Sequence, residues 1–314
     1  MKDKILVIGA LGQVGTDLVE KLTEIYGEST VVASDIRLPR EERFNFEKLD
    51  VLNKKEIGNI FTRHKPTHVY HLAAMLSATA EKYPQKGWNL NMEGQFNIFE
   101  ACLEHKTKRL FWPSSIAVFG PNTPKNETPQ NTYCDPTTIY GISKLAGEQY
   151  CNYYHKRYGL DVRSIRYPGL ISWKAAAGGG TTDYAVEVFT EIIQHEKYQC
   201  FLEKDTMLPM MYMDDAIRAT IEIQETPSSN IKQRTSYNIA GFSFTPKQLF
   251  DKILLHQPNA TFAYQPDARQ KIADSWPKSI DDAVARQDWN WNPKFSLDQM
   301  VLDMLHHLKR KLKH

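Results

Sequence analysis

A tyrosine and a lysine, Tyr140 and Lys144, lie four residues apart in the sequence YGISK. Residues at this spacing share one face of a helix. An unperturbed phenol has a pKa near ~10, too high for a base at neutral pH, but a nearby ammonium favours the phenolate. The pair therefore predicts acid–base chemistry on a hydroxyl, with Ser115 hydrogen-bonded to the same substrate oxygen. The alternative is a helix surface that carries both residues by chance.

A glycine-rich turn near the start of the chain predicts a nucleotide cofactor beside the tyrosine and the lysine. Gly9, Gly12 and Gly15 follow a short apolar run and open an amphipathic segment. The first two glycines let the backbone approach a pyrophosphate, and the third lets a helix pack closely on a sheet. The start of that helix offers free N–H groups to phosphates. Its place between a strand and a helix predicts a dinucleotide site.

An acidic residue indicates which dinucleotide binds, NAD or NADP. Asp35 ends the second predicted strand, where a carboxylate accepts hydrogen bonds from the adenosine ribose and repels a 2′-phosphate. Arg37 could reach such a phosphate, although a surface or adenine-stacking role is the alternative. The sequence therefore predicts NAD as the cofactor. The predicted cofactor contacts are Gly9, Gly12, Gln13, Val14, Gly15, Asp35, Ile36, Asp50, Val51, Leu72, Ala73, Ala74, Asn91, Tyr140, Lys144, Tyr167, Pro168 and Leu170.

The segments that position these residues alternate between strand and helix patterns, which predicts right-handed βαβ units. The predicted strands are Lys4–Ile8, Val31–Ser34, His68–Ala73, Arg109–Ser114 and Val162–Tyr167. The predicted helices after the first are Lys54–His64, Met92–His105, Ile139–Tyr158, Asp214–Glu225 and Pro246–His256.

The fold class that follows is α/β: a Rossmann-type doubly wound parallel sheet with a smaller C-terminal α/β substrate lobe. We predict an NAD-binding domain over residues 1–170 and a substrate-binding lobe over residues 171–314. The two are expected to interleave, so the boundary between them is not clean.

Composition narrows the class of protein. The formal net charge of the 314 residues is only +2, which predicts no nucleic-acid partner. The four cysteines are scattered without metal-ligand spacing, which predicts no metal site and a reducing compartment. No apolar run approaches the ~20 residues that span a membrane, and the first strand starts too early for a signal peptide. We therefore expect a cytoplasmic protein without a membrane partner.

The motifs together resemble the extended short-chain dehydrogenase/reductases, which include nucleotide-sugar epimerases. The resemblance rests on the glycine turn, Asp35, HLAA at 71–74, Asn91, SSIAVFG at 114–120 and YGISK. It implies that the tyrosine is the acid/base, that the lysine lowers its pKa and that Ser115 orients the hydroxyl. For Asn91 it implies support of a proton-relay water, with a helix N-cap as the alternative.

The same resemblance implies a homodimer, in which two long helices of each subunit pair into a four-helix bundle. Met92–His105 and Ile139–Tyr158 are suited to this role, but their apolar faces could equally belong to the core.

Four further stretches resemble the short-chain type of L-threonine 3-dehydrogenase: LSAT at 76–79, RYPGLIS at 166–172, GGGTTDYA at 178–185 and ADSWPKSIDD at 273–282. The resemblance runs essentially from end to end. It implies oxidation of the L-threonine C3 hydroxyl to 2-amino-3-oxobutyrate, with a 2-amino-3-oxobutyrate CoA ligase as a possible downstream partner. The predicted substrate contacts are Ser77, Thr79, Ser115, Tyr140, Gly180, Thr181, Thr182 and Trp276.

Physical chemistry supports part of this substrate site. Thr181 and Thr182 stand after a glycine run at a predicted helix start, where amides and hydroxyls suit a carboxylate. A simple N-cap behind a flexible loop is the alternative. Trp276 either covers the methyl side of a small substrate or anchors the lobe. Asp183 is a candidate for the substrate ammonium, or it complements the helix dipole.

Two other functions compete. A nucleotide-sugar epimerase or dehydratase shares the fold, but dehydratases of this group usually place an Asp-Glu pair where Ile116-Ala117 follows Ser115. An epimerase would retain its NAD through purification and needs a larger pocket. A non-catalytic NAD-sensing regulator is the alternative from another class, but such proteins can lose the tyrosine or the lysine, and both are present here.

Overall fold

The computed structural model describes residues 3–39, 44–174 and 178–312. Its elements are numbered here in chain order. The central sheet has six strands, all parallel, in the order β3-β2-β1-β4-β5-β7. These strands are β1 (Ile5–Ile8), β2 (Val31–Asp35), β3 (Phe46–Lys48), β4 (His68–His71), β5 (Arg109–Phe111) and β7 (Val162–Arg163).

The sheet is covered on both faces, as a parallel sheet requires. Ile5 and Val7 of β1 belong to one apolar core, and Leu6 and Ile8 belong to another. The described helices are α1 (Gln13–Tyr26), α2 (Lys54–His64), α3 (Ser77–Lys82), α4 (Pro84–Trp88), α5 (Gly94–Glu104), α6 (Ile139–Tyr158), α7 (Tyr184–His195), α8 (Met213–Glu225), α9 (Pro246–Leu254), α10 (Arg269–Ser275), α11 (Ala283–Trp289) and α12 (Leu297–Lys311).

Helices of the predicted C-terminal lobe contribute to the first of these cores. Met213 and Ile217 of α8 join it, and α8 packs on α1. Helices α2, α5 and α6 supply the core on the opposite face. The predicted division at residue 170 stays a prediction, and packing contacts cross it, as its interleaved form anticipates.

Smaller sheets lie beside the central one. A parallel sheet joins β6 (Ser114–Ser115), β8 (Ile165–Tyr167) and β12 (Tyr237–Asn238). In another, β11 (Leu208–Tyr212) pairs parallel with β9 (Gly169–Ile171) and antiparallel with β13 (Phe242–Phe244). A parallel pair joins β10 (Lys197–Cys200) and β14 (Thr261–Tyr264). The predicted α/β fold class, a Rossmann-type parallel sheet with a smaller second lobe, is confirmed.

Two predicted strands are each divided in the structure. Arg109–Ser114 separates into β5 and β6 around Pro113, and Val162–Tyr167 separates into β7 and β8 around Ser164. The partners change at these points, because β5 pairs with β7 whereas β6 pairs with β8. Proline has no N–H to donate to a ladder, so a break at Pro113 has a local cause.

The predicted helix Met92–His105 starts earlier than expected. Helical backbone begins at Pro84 and continues through a π-helical stretch, Asn89–Glu93, into α5. Proline suits a first helical turn because that turn has no partner for its N–H. Short π-helical stretches within α-helices are frequent at functional sites. No helix among the described residues has both the length and the apolar character to cross a membrane.

Candidate active site

A cleft with about 230 Å³ of water-accessible space opens where β1, β4 and β6 end. Ligands bind at this edge in open α/β sheets. Most of the predicted site residues line it: Gly9, Gly12, Gln13, Val14, Gly15, Leu72, Ala74, Ser77, Ser115, Tyr140, Lys144, Tyr167, Pro168, Leu170, Gly180, Thr181, Thr182 and Trp276.

The remaining predicted residues lie outside the cleft walls: Asp35, Ile36, Asp50, Val51, Ala73, Thr79 and Asn91. Asp183, the candidate for the substrate ammonium, also lines the cleft, whereas sequence reasoning missed five residues that do so: Leu76, Pro113, Ser114, Ile116 and Gly169. Four of these five directly adjoin predicted residues in the chain and Pro113 lies two residues before Ser115, so chain proximity was the signal that could have found them.

The glycine turn holds α1 against the sheet by contacts that leave no room for a side chain. A Cβ on Gly9, whose φ is +86°, would lie 2.8 Å from the backbone nitrogen of Ala73. A Cβ on Gly15 would lie 2.2 Å from the carbonyl oxygen of Gly9. Gln13 contributes a buried side-chain nitrogen that has no hydrogen-bond partner in residues 3–39, 44–174 and 178–312. The close backbone approach at this turn and the Gln13 side-chain donor in the cleft wall both fit a pyrophosphate.

Asp35 lies beside the turn, at the end of β2. Its carboxylate accepts hydrogen bonds from the backbone nitrogens of Leu11, at 3.0 Å, and Arg37, at 3.1 Å. The Arg37 guanidinium folds back, donating to the same carboxylate at 3.2 Å and to the Leu11 carbonyl at 2.8 Å. The acidic side chain is therefore fixed next to the turn, where the sequence places the adenosine ribose.

A close backbone approach brings Tyr140 to Ser115. Thr138 caps α6 by accepting from the Gly141 nitrogen at 3.0 Å, which places Tyr140 in the first turn. A Cβ on Gly141 would lie 2.1 Å from the carbonyl oxygen of Ala117, two residues after Ser115. Glycine at 141 thus lets this turn rest on the segment that follows Ser115.

Lys144 lies one helical turn further along the same face. Its Nζ donates to the Pro113 carbonyl at 2.7 Å and lies 5.6 Å from the centre of the Tyr140 ring. Nζ also lies 4.5 Å from the centre of the Trp112 ring. The structure therefore brings the three predicted acid–base residues together, with the lysine beneath the tyrosine.

The electrostatics of the pair differ from the sequence expectation. Burial raises the pKa of the Tyr140 phenol to about 12, although its hydrogen bond with Ser115 acts in the opposite direction. Burial also lowers the pKa of Lys144 to about 7, against the charges of Cys151 and Glu148. Burial thus outweighs the hydrogen bond with Ser115, and the phenol stays protonated at neutral pH.

Asn91 lies in the π-helical stretch, inside a continuous helix, so the N-cap alternative is wrong. Its side chain accepts from the Met75 nitrogen at 2.8 Å and donates to the Met75 carbonyl at 3.2 Å. It also donates to the Ser143 hydroxyl at 3.1 Å. Asn91 therefore ties the segment after β4 to α6.

The glycine loop over the cleft is held by Asp183. Its carboxylate accepts from the backbone nitrogens of Gly179 and Gly180, both at 2.7 Å. Burial raises the pKa of this carboxyl, and the two N–H groups act in the opposite direction. The N-cap of α7 is Asp183, so neither Thr181 nor Thr182 is an N-cap. The Thr181 hydroxyl is buried in the cleft wall, and no residue that the structure describes is its hydrogen-bond partner.

Trp276 lies between the cleft and the apolar core. Its side chain lines the cleft and is also buried in the core that contains Tyr140. Lys125 fixes the backbone at this point, because its Nζ donates to the carbonyls of Ser275 at 2.6 Å and Trp276 at 3.3 Å.

Comparison with known proteins places this site in a family. The model of the NAD dependent epimerase/dehydratase family matches residues 5–240. An uncharacterised epimerase/dehydratase from Staphylococcus haemolyticus is 46% identical, over 98% of both chains.

Solved structures are also similar. A GalE-like L-threonine dehydrogenase from Cupriavidus necator, in its holo form, is 52% identical with a TM-score of 0.96, over 98% of this chain and 100% of that one. A monomeric L-threonine 3-dehydrogenase from a metagenome, in its apo form, is 46% identical with a TM-score of 0.96, over 98% and 99%. With its glycine turn and its Ser–Tyr–Lys cleft, the chain belongs to the NAD dependent epimerase/dehydratase family, and its cofactor is NAD.

Proposed function

We propose that this protein is an L-threonine 3-dehydrogenase, which oxidises the C3 hydroxyl of L-threonine to 2-amino-3-oxobutyrate. The observation that carries the proposal is one cleft lined by Ser115, Tyr140, Lys144 and Thr181, in which the Thr181 hydroxyl has no hydrogen-bond partner among the described residues. The L-threonine dehydrogenases from Cupriavidus necator and the metagenome match nearly the whole chain, which supports the same substrate.

The cofactor fits the nucleotide side of the cleft. The turn from Gly9 to Gly15 would hold the pyrophosphate, Gln13 would donate to it, and Asp35 would accept from the adenosine ribose. We propose the other predicted cofactor contacts on the same basis. When bound, NAD supplies the acceptor for the C3 hydride and a positive charge beside the tyrosine.

The chain's own residues move the proton. Tyr140 as phenolate takes the proton of the C3 hydroxyl, while Ser115 holds that oxygen. The high pKa of Tyr140 in the cofactor-free protein means that its phenolate needs a nearby positive charge, and Lys144 in its protonated form is one source. General-base catalysis of this kind contributes about 10²–10⁴-fold to the rate.

Hydroxyl groups and backbone amides would hold the amino acid. The unpaired Thr181 hydroxyl, with Thr182 and Ser77, is suited to the substrate carboxylate. Trp276 covers an apolar wall that is suited to the C4 methyl. The Asp183 carboxylate already accepts from two loop amides, so it would receive the ammonium only as a further donor.

We also propose a homodimer. Five large side chains on α4, α5 and α6 are exposed, and a second copy would cover them: Trp88, Phe96, Ile142, Tyr153 and Tyr158. Light scattering after gel filtration measures the mass directly, and a monomer at micromolar concentration would contradict the proposal. Ile142→Glu should shift a dimer towards monomer, because it places a charge on the buried face.

Location and metabolic context complete the proposal. All four cysteines, Cys102, Cys134, Cys151 and Cys200, are free, which suits the cytoplasm. The product, a 2-amino-3-oxo acid, suits a 2-amino-3-oxobutyrate CoA ligase as the next enzyme.

The substrate is tested by NADH formation with L-threonine, beside D-threonine, L-serine and UDP-sugars. Selective oxidation of L-threonine is expected. Turnover of UDP-galactose without net NADH, together with silence towards amino acids, would replace the proposal with epimerisation on the same fold.

A further inference from the structure

A third buried polar residue continues the face of α6 that carries the reacting pair. Tyr140, Lys144 and Glu148 recur every four residues and therefore lie on one side of the helix. Glu148 is 1% exposed and does not line the cleft. A carboxylate buried this deeply needs a partner, because its desolvation is costly.

Glu148 has three hydrogen bonds from two neighbouring strands. The Ser114 hydroxyl donates to one carboxylate oxygen at 2.6 Å. Arg166 donates to both oxygens, from Nε at 2.8 Å and from a terminal nitrogen at 2.7 Å. A bidentate pair of this kind fixes orientation as well as distance.

Arg166 carries the same network into the second lobe. Its other terminal nitrogen donates to the Gln130 carbonyl at 3.1 Å and to the Asn238 side-chain oxygen at 3.0 Å. One buried pair thus joins α6, β6, β8 and β12.

Of the strand residues bound by Glu148, Ser114 itself lines the cleft and Arg166 directly precedes Tyr167, which also lines it. In the β6–β8 ladder Ser114 is opposite Arg166, and the next pair, Ser115 opposite Tyr167, lines the cleft. The carboxylate therefore holds the two strand ends against the helix that carries Tyr140. A displacement of about 1 Å at such a point can cost about 10²-fold in rate.

We propose that Glu148 is a positioning residue, which with Arg166 keeps Ser115 in place relative to Tyr140 and Lys144. This inference rests on the proposed acid–base roles of those three residues. The role that we propose for Glu148 and Arg166 goes beyond stability. Stability alone does not require a buried ion pair, because apolar residues in its place often stabilise a fold equally well.

The test compares Glu148→Gln with wild type at saturating NAD, on the substrate that wild type turns over fastest among L-threonine and the UDP-sugars. We expect kcat to fall about 10–100-fold, while the NAD dissociation constant and the substrate KM change less than about threefold. Failure of wild type to oxidise L-threonine would overturn the proposed substrate alone, because Tyr140 and Ser115 would serve either reaction.

A matched control separates positioning from folding. Asp161 pairs with the buried Arg163 at 2.8 Å and immediately precedes β7, at the sheet edge opposite the cleft. Asp161→Asn should lower the thermal midpoint and leave kcat within about twofold of wild type, since it disturbs an ion pair far from the cleft. An equal loss of kcat in both variants would overturn the proposal.

A milder variant guards against misfolding of Glu148→Gln. Ser114→Ala removes only the hydroxyl bound by the carboxylate and keeps the bond between Glu148 and Arg166. We expect a fall in kcat of about 3–10-fold, the size of one lost hydrogen bond, with KM unchanged. If kcat of a folded Glu148→Gln or of Ser114→Ala stayed within twofold of wild type, Glu148 would not be a positioning residue.

Discussion

The two sides of the cleft are built in opposite ways. The nucleotide side is backbone packed on backbone: Gly9 on Ala73, and Gly15 on the carbonyl of Gly9. The substrate side is made of side chains and of a glycine loop that is held by a side chain. There the Thr181 hydroxyl is buried without a hydrogen-bond partner in the described part of the chain, and Asp183 holds the glycine loop by two hydrogen bonds.

This difference predicts different consequences of mutation. On the nucleotide side the same contacts stabilise the fold and shape the site, so a substitution should damage both. On the substrate side an unpaired polar group already costs stability in the ligand-free protein. A substitution there should affect turnover or affinity and leave the fold intact. Tyr140 lies between the two sides, and its substitution should have the largest effect on the rate.

Tyr140→Phe removes the proposed base but keeps the ring in its core. We expect kcat with L-threonine to fall about 10²–10⁴-fold, because no other group replaces the phenolate. NAD affinity, measured by tryptophan fluorescence, should change little. Turnover near that of wild type would remove Tyr140 from the chemistry.

Gly9→Ala tests the nucleotide side. A Cβ would meet the Ala73 backbone at 2.8 Å in a conformation with φ of +86°, so both NAD affinity and stability should fall. We expect a stability loss of about 2–4 kcal/mol and NAD binding weakened by at least about tenfold.

Gly27→Ala is the matched control for this variant. Gly27 has a nearly identical φ, +84°, but no atom within 4 Å of its would-be Cβ. It should lose only about 1–2 kcal/mol and should bind NAD normally. Equal losses of NAD affinity in Gly9→Ala and Gly27→Ala would contradict the claim that the contact between Gly9 and Ala73 shapes the nucleotide side.

Lys144→Met should change catalytic activity and the free energy of unfolding in opposite directions. Burial lowers the pKa of Lys144 from 10.5 to about 7, so between these pH values the unfolded chain binds more protons than the native one. The buried lysine therefore destabilises the protein most below pH 7, and this cost declines as the pH rises towards 10.5.

We expect Lys144→Met to be inactive but more stable than wild type at pH 6, by on the order of 1–3 kcal/mol. The advantage should shrink at pH 9. Urea denaturation at both pH values measures it, with the exposed Lys21→Met as a control that should show no such trend. A variant less stable than wild type at pH 6 would contradict the burial argument.

Thr181→Val gives the smallest expected effect. The hydroxyl has no partner before substrate binds, so its removal should leave the thermal midpoint unchanged or slightly raised. The KM for L-threonine should rise about 5–10-fold, the size of one lost hydrogen bond. Thr181→Ser keeps the hydroxyl and should restore most of the affinity, whereas a KM unchanged in the valine variant would exclude Thr181 from the substrate site.

The same contrast explains how much of the molecule could be predicted from its sequence. The glycine turn is a local pattern, and the bounds of the helices Lys54–His64 and Ile139–Tyr158 were predicted without error. Helix bounds follow from capping and periodicity, which neighbouring residues decide.

What could not be predicted depends on contacts between distant residues. The division of the predicted strand Val162–Tyr167 at Ser164 depends on which strands pair. The bonds of Asn91 to Met75 and of Lys125 to the carbonyl of Trp276 join segments far apart in the chain. No spacing along the chain encodes such contacts, and for this reason the substrate side was predicted mainly by resemblance.

We infer that the hydrogen on C3 of L-threonine passes directly to NAD while Tyr140 takes the hydroxyl proton. The most direct test supplies L-threonine deuterated at C3 and measures the mass of the reduced cofactor. We expect one deuterium in each NADH formed. Formation of unlabelled NADH would contradict direct hydride transfer from C3. Recovery of intact deuterated threonine without any NADH would contradict the oxidation itself.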